Sequence, residues 1–407
     1  MISLQVKQDI SLKKSITLPG SKSISNRYLI LRTLSNNKIE IENLSNADDT
    51  KTLESALLLD QNNINIGHAG TAMRFLLAYL SIKQGKYVLT GSLRMLERPI
   101  GPLVEAINEM GGNVDYISKI GYPPVLIKGQ KIKGGEISLN SSVSSQFVSA
   151  ILLIAPFLKE GIKIHLSRKT VSFSYINMTL KILNGLGIKT DVNNDHISVI
   201  PHKIMKQKVK VEGDWSSASY WFSFIALSPI GTEMSLLGLK RDSIQGDKRI
   251  IDIMKHFGVK SDFNNAQLNL KKCSIHKDEL EFDFINCPDI AQTVMVAGAA
   301  LNMRIKFRGL QTLKIKESDR VEAMNTELIK VGYSLLKTED IWVLEGEFIS
   351  EDITIETYKD HRIAMSFAPL ILKIPKIKIC DPEVVNKSYP DYWRDLKNFG
   401  ISIDKIT

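Results

Sequence analysis

Six stretches of this sequence share one pattern: small or polar residues that run into an apolar segment of helical length. They begin near Ser25, Thr71, Ser145, Ser217, Asp289 and His361, so the last three intervals are 72 residues each, the one before is 74, and the first is 46. A repeat of this length is one supersecondary unit copied several times, and it restricts the fold to an assembly of similar modules. Between the copies lies a second, more amphipathic series, each member ending in glycine. Its members are LVEAINEMGG (Leu103–Gly112), LKILNGLG (Leu180–Gly187), IIDIMKHFG (Ile250–Gly258), NTELIKVG (Asn325–Gly332) and WRDLKNFG (Trp393–Gly400). A terminal glycine lets a helix stop in a left-handed turn. β-rich runs follow at Ile188–Val192, Val259–Phe263, Tyr333–Leu336 and Ile401–Ile403. A degenerate sixth copy ends at Asp60–Asn63, where Asn offers the left-handed turn less cheaply.

Each full copy holds two helices and several strands. The inner series, with runs such as SAILLIAP and TVMVAGAAL, is apolar on most faces and reads as buried; the outer series has one wet face. The pattern predicts an α/β protein of two domains, three copies each, with buried helices surrounded by sheets. Hinges are expected at Gly20 and Gly213. That assigns residues 20–212 to one domain and residues 1–19 with 213–407 to the other, the first strand pairing with the C-terminal half. A solenoid scaffold is the binding-module rival, but solenoid units carry equivalent surface residues, whereas these helix starts differ from copy to copy.

The 407 residues exceed one ordinary core, and 43% hydrophobic with 24% charged residues is a globular composition. The longest apolar window, Ala150–Leu158, is interrupted by Pro156 and is far short of the ~18 residues of a membrane span. No signal-peptide core precedes it, and a cytoplasmic location is expected. Cys273, Cys287 and Cys380 fit neither a disulfide framework nor a zinc spacing. The net charge of +9 admits an anionic partner, yet the lysines form no run of five or six and no aromatic series is interleaved, which disfavours nucleic acid.

The chemistry-bearing residues collect at helix starts, where free N–H groups and positive potential attract anions. Pro19-Gly20-Ser21-Lys22-Ser23 precedes the first inner helix, with Asn26 and Arg27 one turn in. It is no P-loop, because Ser21 separates Gly20 from Lys22 and residue 15 is Ser. Gly67-His68-Ala69-Gly70-Thr71 leads into the second, with Arg74 beyond; Gly70 permits close backbone approach. Arg94 and Arg98 lie before the Pro99 helix start, and arginine there can grip phosphate or carboxylate with two bonds. Ser144-Ser145-Gln146 offers two hydroxyls and an amide; Ser172 and Tyr175 follow. Asp289 opens the fifth helix, where capping explains it equally well. Lys316 and Arg320, four apart, are read as sharing one helical face beside Glu317. Asp360-His361-Arg362 opens the sixth helix, and Lys387 precedes Tyr389-Pro390-Asp391. Capped helices and solvated turns would account for each of these singly.

Taken together and in order, LPGSKSISNR (18–27), AGTAMRF (69–75), RMLERPIGPL (94–103), SSVSSQF (141–147), GDWSSASY (213–220), CPDIAQT (287–293), IKESDR (315–320), DHRIAM (360–365) and KSYPDYW (387–393) resemble the signature blocks of the 5-enolpyruvylshikimate-3-phosphate synthases, within the enolpyruvyl transferase family. The resemblance spans essentially the whole chain. It implies a two-domain inside-out α/β barrel, each domain three βαββαβ units, with the active site in the interdomain cleft. It implies transfer of the enolpyruvyl group of phosphoenolpyruvate to the 5-hydroxyl of shikimate 3-phosphate, with release of phosphate. The route is addition and elimination through a tetrahedral intermediate, in the shikimate pathway to chorismate and the aromatic amino acids. No metal or organic cofactor, nucleic acid or membrane is implied, and a monomer is expected.

Carried over by position, Ser23 and Arg27 resemble the contacts of the shikimate carboxylate, and Ser144, Ser145 and Ser172 those of its phosphate, with Gln146 and Lys22 nearby and Tyr175 against the ring. Lys22, Gly70, Arg98, Gln146 and Lys387 resemble the phosphoenolpyruvate phosphate site, and Arg320 and Arg362 the clamp on its carboxylate. Asp289 and Lys316 would hold the attacking hydroxyl; Asp289 would be the base, Glu317 the proton donor to the methylene, and Lys22 a further proton carrier. Such a cluster meets the chemistry, because two phosphates and two carboxylates must be brought together, and each unlike pair at ~4 Å contributes ~4 kcal/mol at an effective dielectric near 20. The methylene gains a proton as the hydroxyl loses one, which needs an acid and a base.

Three positions depart from the pattern: His68 and Thr312 stand where Asn is usual, and Phe75 where proline is common. Retention of Gly70 implies sensitivity to glyphosate, an analogue that fills the phosphoenolpyruvate site. Two rivals remain. The sister enzyme acting on UDP-N-acetylglucosamine usually carries a cysteine in its first third, where this chain has none. A non-catalytic anion-binding repeat protein would not need every charged position filled.

Overall fold

The computed structural model of the protein describes all residues except 8–13, 60, 140–143, 167–170, 194–195, 265–266, 276–278 and 407. Asp60 of the degenerate copy and residues 141–143 of the SSVSSQF block thus lie outside the described residues.

A parallel pair of strands needs a crossover that leaves the sheet, and the apolar inner segments are those crossovers. Helix Gly70–Ile82 joins strand Asn63–Asn65 to strand Gly85–Thr90, which pair in parallel with Asn63 opposite Val88. The outer helix Gly101–Glu109 then leads into a hairpin, Val114–Tyr116 with Val125–Gly129, whose second strand adds antiparallel to Gly85–Thr90. Four further four-stranded sheets repeat this order of one parallel and two antiparallel pairings. In one of them the place of the hairpin's second strand is taken by the N-terminal strand Ile2–Val6, which lies between Ile377–Ile379 and Ile401–Lys405. In another, Lys14–Thr17 pairs in parallel with Glu233–Leu237, far along the chain.

The sixth sheet explains the short first interval. It has two strands among the described residues, Gln207–Lys210 and Ile39–Glu42. The element that follows helix Asp48–Leu58 is strand Asn63–Asn65 of the next sheet, so among the described residues no hairpin stands between them.

The chain divides into two compact units, Met1–Gly20 with Glu212–Thr407, and Ser21–Val211. Each has three inner helices packed on one another. In Trp215–Leu227 twelve of thirteen residues are buried, and in Ala291–Ala300 all ten. Burying a Phe, Leu or Ile side chain contributes about 1.5–3 kcal/mol, so these helices are held by packing on every face. Some of their serines bond back to the helix: Ser81 donates to the Leu77 carbonyl at 2.7 Å and Ser228 to that of Phe224 at 2.8 Å. Small residues also let the helices approach. In the first unit Thr293 Oγ1 lies 3.1 Å from Ser219 Oγ and 3.5 Å from Ser366 Oγ, so one hydroxyl row ties three helices.

The outer helices begin earlier than their periodicity indicates, at Gly101, Phe173 and Arg320 rather than Leu103, Leu180 and Asn325. The first turns at Phe173 and Arg320 carry the candidate site residues Tyr175 and Arg320, so the apolar stripe starts late there, while the other helix opens on Gly101-Pro102. The glycine stops are as expected, with Gly332 at φ +80° and an added Cβ there only 2.0 Å from the Glu347 carbonyl oxygen. Among the described residues no helix is long and apolar enough to cross a membrane.

Candidate active site

In the unit Ser21–Val211, four helix starts converge on Arg27. Its Nε donates to Thr179 Oγ1 at 2.7 Å, Nη1 to the Ser23 carbonyl at 2.8 Å, and Nη2 to the Tyr175 carbonyl at 3.1 Å and Ser149 Oγ at 3.2 Å. The guanidinium also lies 5.4 Å from the Phe75 ring centroid, so helices Lys22–Leu34, Gly70–Ile82, Ser145–Ile154 and Phe173–Gly185 all meet it near their first two turns. Burial lowers its pKa to about 10, which leaves it charged at neutral pH. Phe75, a departure from the family pattern, is therefore part of this contact.

The other sequence-designated residues surround that point. Ser144 caps helix Ser145–Ile154 by accepting from the Gln146 N–H at 3.2 Å, and Gln146 Nε2 reaches Thr71 Oγ1 at 3.5 Å. The Arg98 guanidinium lies on the Gly70 backbone: a Cβ at residue 70 would stand 2.5 Å from Nη1. A side chain there would have to displace the arginine, while the backbone conformation itself does not call for glycine. Arg74 is buried and donates to the Gly70 and Pro99 carbonyls at 3.1 and 2.9 Å, bracing both sides of that contact. Ser172 starts its helix at φ +55°, a strained conformation for a non-glycine residue, and its hydroxyl does not cap. Lys22 pairs with Asp49 at 3.1 Å. Asp49 was not singled out in the sequence, because acids in a first helical turn read as dipole partners.

The unit formed by Met1–Gly20 and Glu212–Thr407 gathers the acid–base residues. Arg320 is 1% exposed and makes four contacts to carboxylates: Asp360 through Nε at 2.7 Å and Nη2 at 3.3 Å, Asp289 through Nη1 at 3.2 Å, and Glu317 through Nη2 at 2.8 Å. Burial works against its charge, but these carboxylates outweigh it and raise the pKa. Arg362 pairs with Asp289 Oδ2 at 2.9 Å and donates to the Asp289 carbonyl at 3.0 Å and to Tyr220 Oη at 3.4 Å. Lys387 Nζ lies 3.8 Å from Glu317 Oε1. Burial pushes the Tyr220 hydroxyl up to about 12, so it stays neutral.

Two sequence readings need correction here. Lys316 and Arg320 do not share a helical face, because Asp319 caps the helix and Arg320 is its first residue; Lys316 and Glu317 sit in the preceding loop, after the 3-10 turn Gln311–Ile315. That loop is what lets Glu317 fold back onto Arg320. Asp289 is not a helix cap either. It lies in the 3-10 turn Pro288–Ile290, and its carboxylate serves the two arginines instead. Asp360, present in the DHRIAM block but given no role, is the buried anchor of the cluster, accepting also from Ser318 Oγ at 3.2 Å and the Arg362 N–H at 3.0 Å. Of the other departures, His68 Nδ1 is 2.9 Å from Ser92 Oγ, and the Thr312 hydroxyl is buried without a hydrogen-bond partner. Among the described residues no set of three or more His, Cys, Asp or Glu is grouped to hold a metal ion.

The two clusters differ in charge. The first sets Lys22, Arg27, Arg74 and Arg98 against Asp49. The second sets Arg320, Arg362 and Lys387 against Asp289, Glu317 and Asp360. Surplus cations suit phosphates, while paired acids and bases suit proton transfer.

Among solved structures, an EPSP synthase from Acinetobacter baumannii matches with a TM-score of 0.77 at 22% identity, covering 100% of both chains. The enolpyruvyl transferase NikO from Streptomyces tendae matches with a TM-score of 0.72 at 14% identity, covering 100% of this chain and 99% of its own. The fold is therefore EPSP synthase-like. A relative from Bacteroides fragilis (strain YCH46), 3-phosphoshikimate 1-carboxyvinyltransferase, is 44% identical over 396 residues, 96% of each chain. Another of that name from Shewanella baltica (strain OS185) is 34% identical over 424 residues, 97% of this chain and 98% of its own. With the family model matched at residues 6–59 and 53–396, the chain belongs to the EPSP synthase (3-phosphoshikimate 1-carboxyvinyltransferase) family.

Proposed function

We propose that the two clusters act on one pair of substrates, the cation-rich set holding phosphates and the ion-paired set moving protons. The activity is that of EPSP synthase, in the shikimate pathway. In this reading Ser144, Ser145 and Ser172 hold the phosphate of shikimate 3-phosphate, Ser23 and Arg27 its carboxylate, and Tyr175 its ring. Lys22, the Gly70 backbone, Arg98, Gln146 and Lys387 hold the phosphate of phosphoenolpyruvate. Asp289 and Lys316 orient the 5-hydroxyl.

The observation that carries the reading is the pairing of Arg320 and Arg362 with this chain's own acids. A substrate carboxylate arriving on these arginines takes contacts from Asp289 and Glu317. A carboxylate that loses its cation gains proton affinity. Binding itself thus readies Asp289 to accept the hydroxyl proton and lets Glu317 carry a proton for the methylene. The buried inner helices with sheets outside them support the inside-out barrel of βαββαβ copies in each unit. On the same resemblance we place the enzyme in the cytoplasm as a monomer.

Purified protein is expected to release phosphate only when shikimate 3-phosphate and phosphoenolpyruvate are both supplied, and to lose that activity in millimolar glyphosate. Release that proceeds without shikimate 3-phosphate, or with UDP-N-acetylglucosamine in its place, refutes the assignment.

A further inference from the structure

Asp247 has no role in the assignments above, yet it touches the ion-paired cluster. It lies in the 3-10 turn Gly246–Arg249 and is 4% exposed. Ser216, in the first turn of helix Trp215–Leu227, donates its hydroxyl to Asp247 Oδ2, and Arg362 Nη2 donates to that hydroxyl oxygen at 3.5 Å. Asp247 Oδ1 is buried and has no hydrogen-bond partner. Two residues earlier, Gln245 accepts from the Trp215 N–H at 3.1 Å and donates to the Gly213 carbonyl at 2.9 Å, which fixes the turn against the same helix start.

An unpartnered buried charge costs far more than an unpartnered neutral oxygen, so a carboxyl in this setting favours its protonated form. The charged groups that face it are Asp289 and Asp214, which oppose its ionisation, and Arg362, which favours it. Behind it lies the Cys287 thiol, pushed up to about 12 by burial and by Asp247, with Arg249 acting in the opposite sense. Burial first, and Asp289 second, push Asp247 up to about 7.

We propose that Asp247 is a positioning residue that takes up a proton when an anionic substrate group seats on Arg362, and remains neutral while that group is bound. The proposal rests on the reading that Arg362 holds the phosphoenolpyruvate carboxylate. The proton comes from solvent and bonds to the carboxyl oxygen; no other bond forms or breaks. Arg362 and the Ser216 hydroxyl both favour ionised Asp247, and an arriving carboxylate cancels the first of these while adding a repulsion of its own. Once neutral, Asp247 still accepts from Ser216 through Oδ2, so the hydroxyl that meets Arg362 keeps its orientation.

The test is the pH dependence of the KM for phosphoenolpyruvate between pH 6 and 9, at saturating shikimate 3-phosphate, in wild type, Asp247→Asn and Arg362→Gln. Where Asp247 is ionised before binding, each pH unit is expected to raise the wild-type KM by about tenfold, because the proton must first be regained. Asparagine reproduces the neutral carboxyl and its acceptor oxygen, so Asp247→Asn removes that component. Calorimetry in buffers of different ionisation enthalpy, with shikimate 3-phosphate and glyphosate as ligands, is expected to show less proton uptake in Asp247→Asn than in wild type at pH 7.5. Identical pH profiles in the two proteins overturn the proposal, as does a wild-type KM that is flat from pH 7 to 9, which needs no variant to fold. An unchanged KM in Arg362→Gln overturns instead the underlying placement of the carboxylate.

Discussion

Gly70→Ala isolates a single contact of the cation-rich cluster. The added methyl would stand 2.5 Å from Arg98 Nη1 and 3.0 Å from both Cζ and Nη2. Restoring van der Waals contact moves the guanidinium back by about 1 Å. That displacement is enough to stretch a hydrogen bond of normal length past its useful range. A charge-assisted bond contributes about 1.5–3 kcal/mol, and Arg98 can offer two to a phosphate. Loss of about 2 kcal/mol corresponds to a KM for phosphoenolpyruvate raised roughly thirtyfold. The KM for shikimate 3-phosphate, assigned to other side chains, is expected to change by no more than about twofold. Stability should not fall, since alanine in a helix is favoured over glycine by up to about 1 kcal/mol. Steady-state kinetics with each substrate varied in turn, alongside thermal melting, reads all three. A phosphoenolpyruvate KM within threefold of wild type, or an equal rise for both substrates, refutes the reasoning.

Glu317→Gln keeps the shape of the loop but not the proton; kcat is expected to fall about 10²–10⁴-fold with substrate binding retained, and undiminished turnover removes Glu317 from its role. Asp360→Ala strips the buried Arg320 of its two-pronged partner and Arg362 of its cap, which is expected to lower unfolding free energy by about 3–5 kcal/mol; an unchanged denaturant midpoint would contradict this. Asp247 also predicts a pH dependence of stability. Its folded-state pKa, about 7, lies above the 3.8 of an ordinary aspartate, so the folded protein holds a proton that the unfolded chain releases. The contribution is complete below about pH 4 and is lost as pH rises to about 7, by about 1.4 kcal/mol per unit. Asp247→Asn is accordingly expected to gain stability over wild type at pH 8 but not at pH 4, and equal melting shifts at both values argue against it.

The candidate site was legible wherever a residue's role coincides with a helix start. Ser144 and Gly70 sit at boundaries that the apolar pattern marks, whereas Asp360 read only as the opening of a helix. Phe75 showed only as a departure from the family pattern, and its place beneath Arg27 came from the packing of helix Gly70–Ile82 against Lys22–Leu34. Asp49 and Asp247 carried no signal of their own, since an acid in a first helical turn, or in a short turn between elements, has an ordinary local explanation.

Local rules account for what could be read directly. A recurring spacing of apolar segments, glycine stops and capping residues depend on neighbours within a few positions, and they determined the repeat, the inner and outer helices and their order. Charge partners obey no such rule, because Coulomb attraction and desolvation act through space. Arg320 meets Asp289 and Asp360 across intervals of 31 and 40 residues, and Arg362 meets Tyr220 across 142. Which acids hold which arginines was decided by the tertiary structure alone.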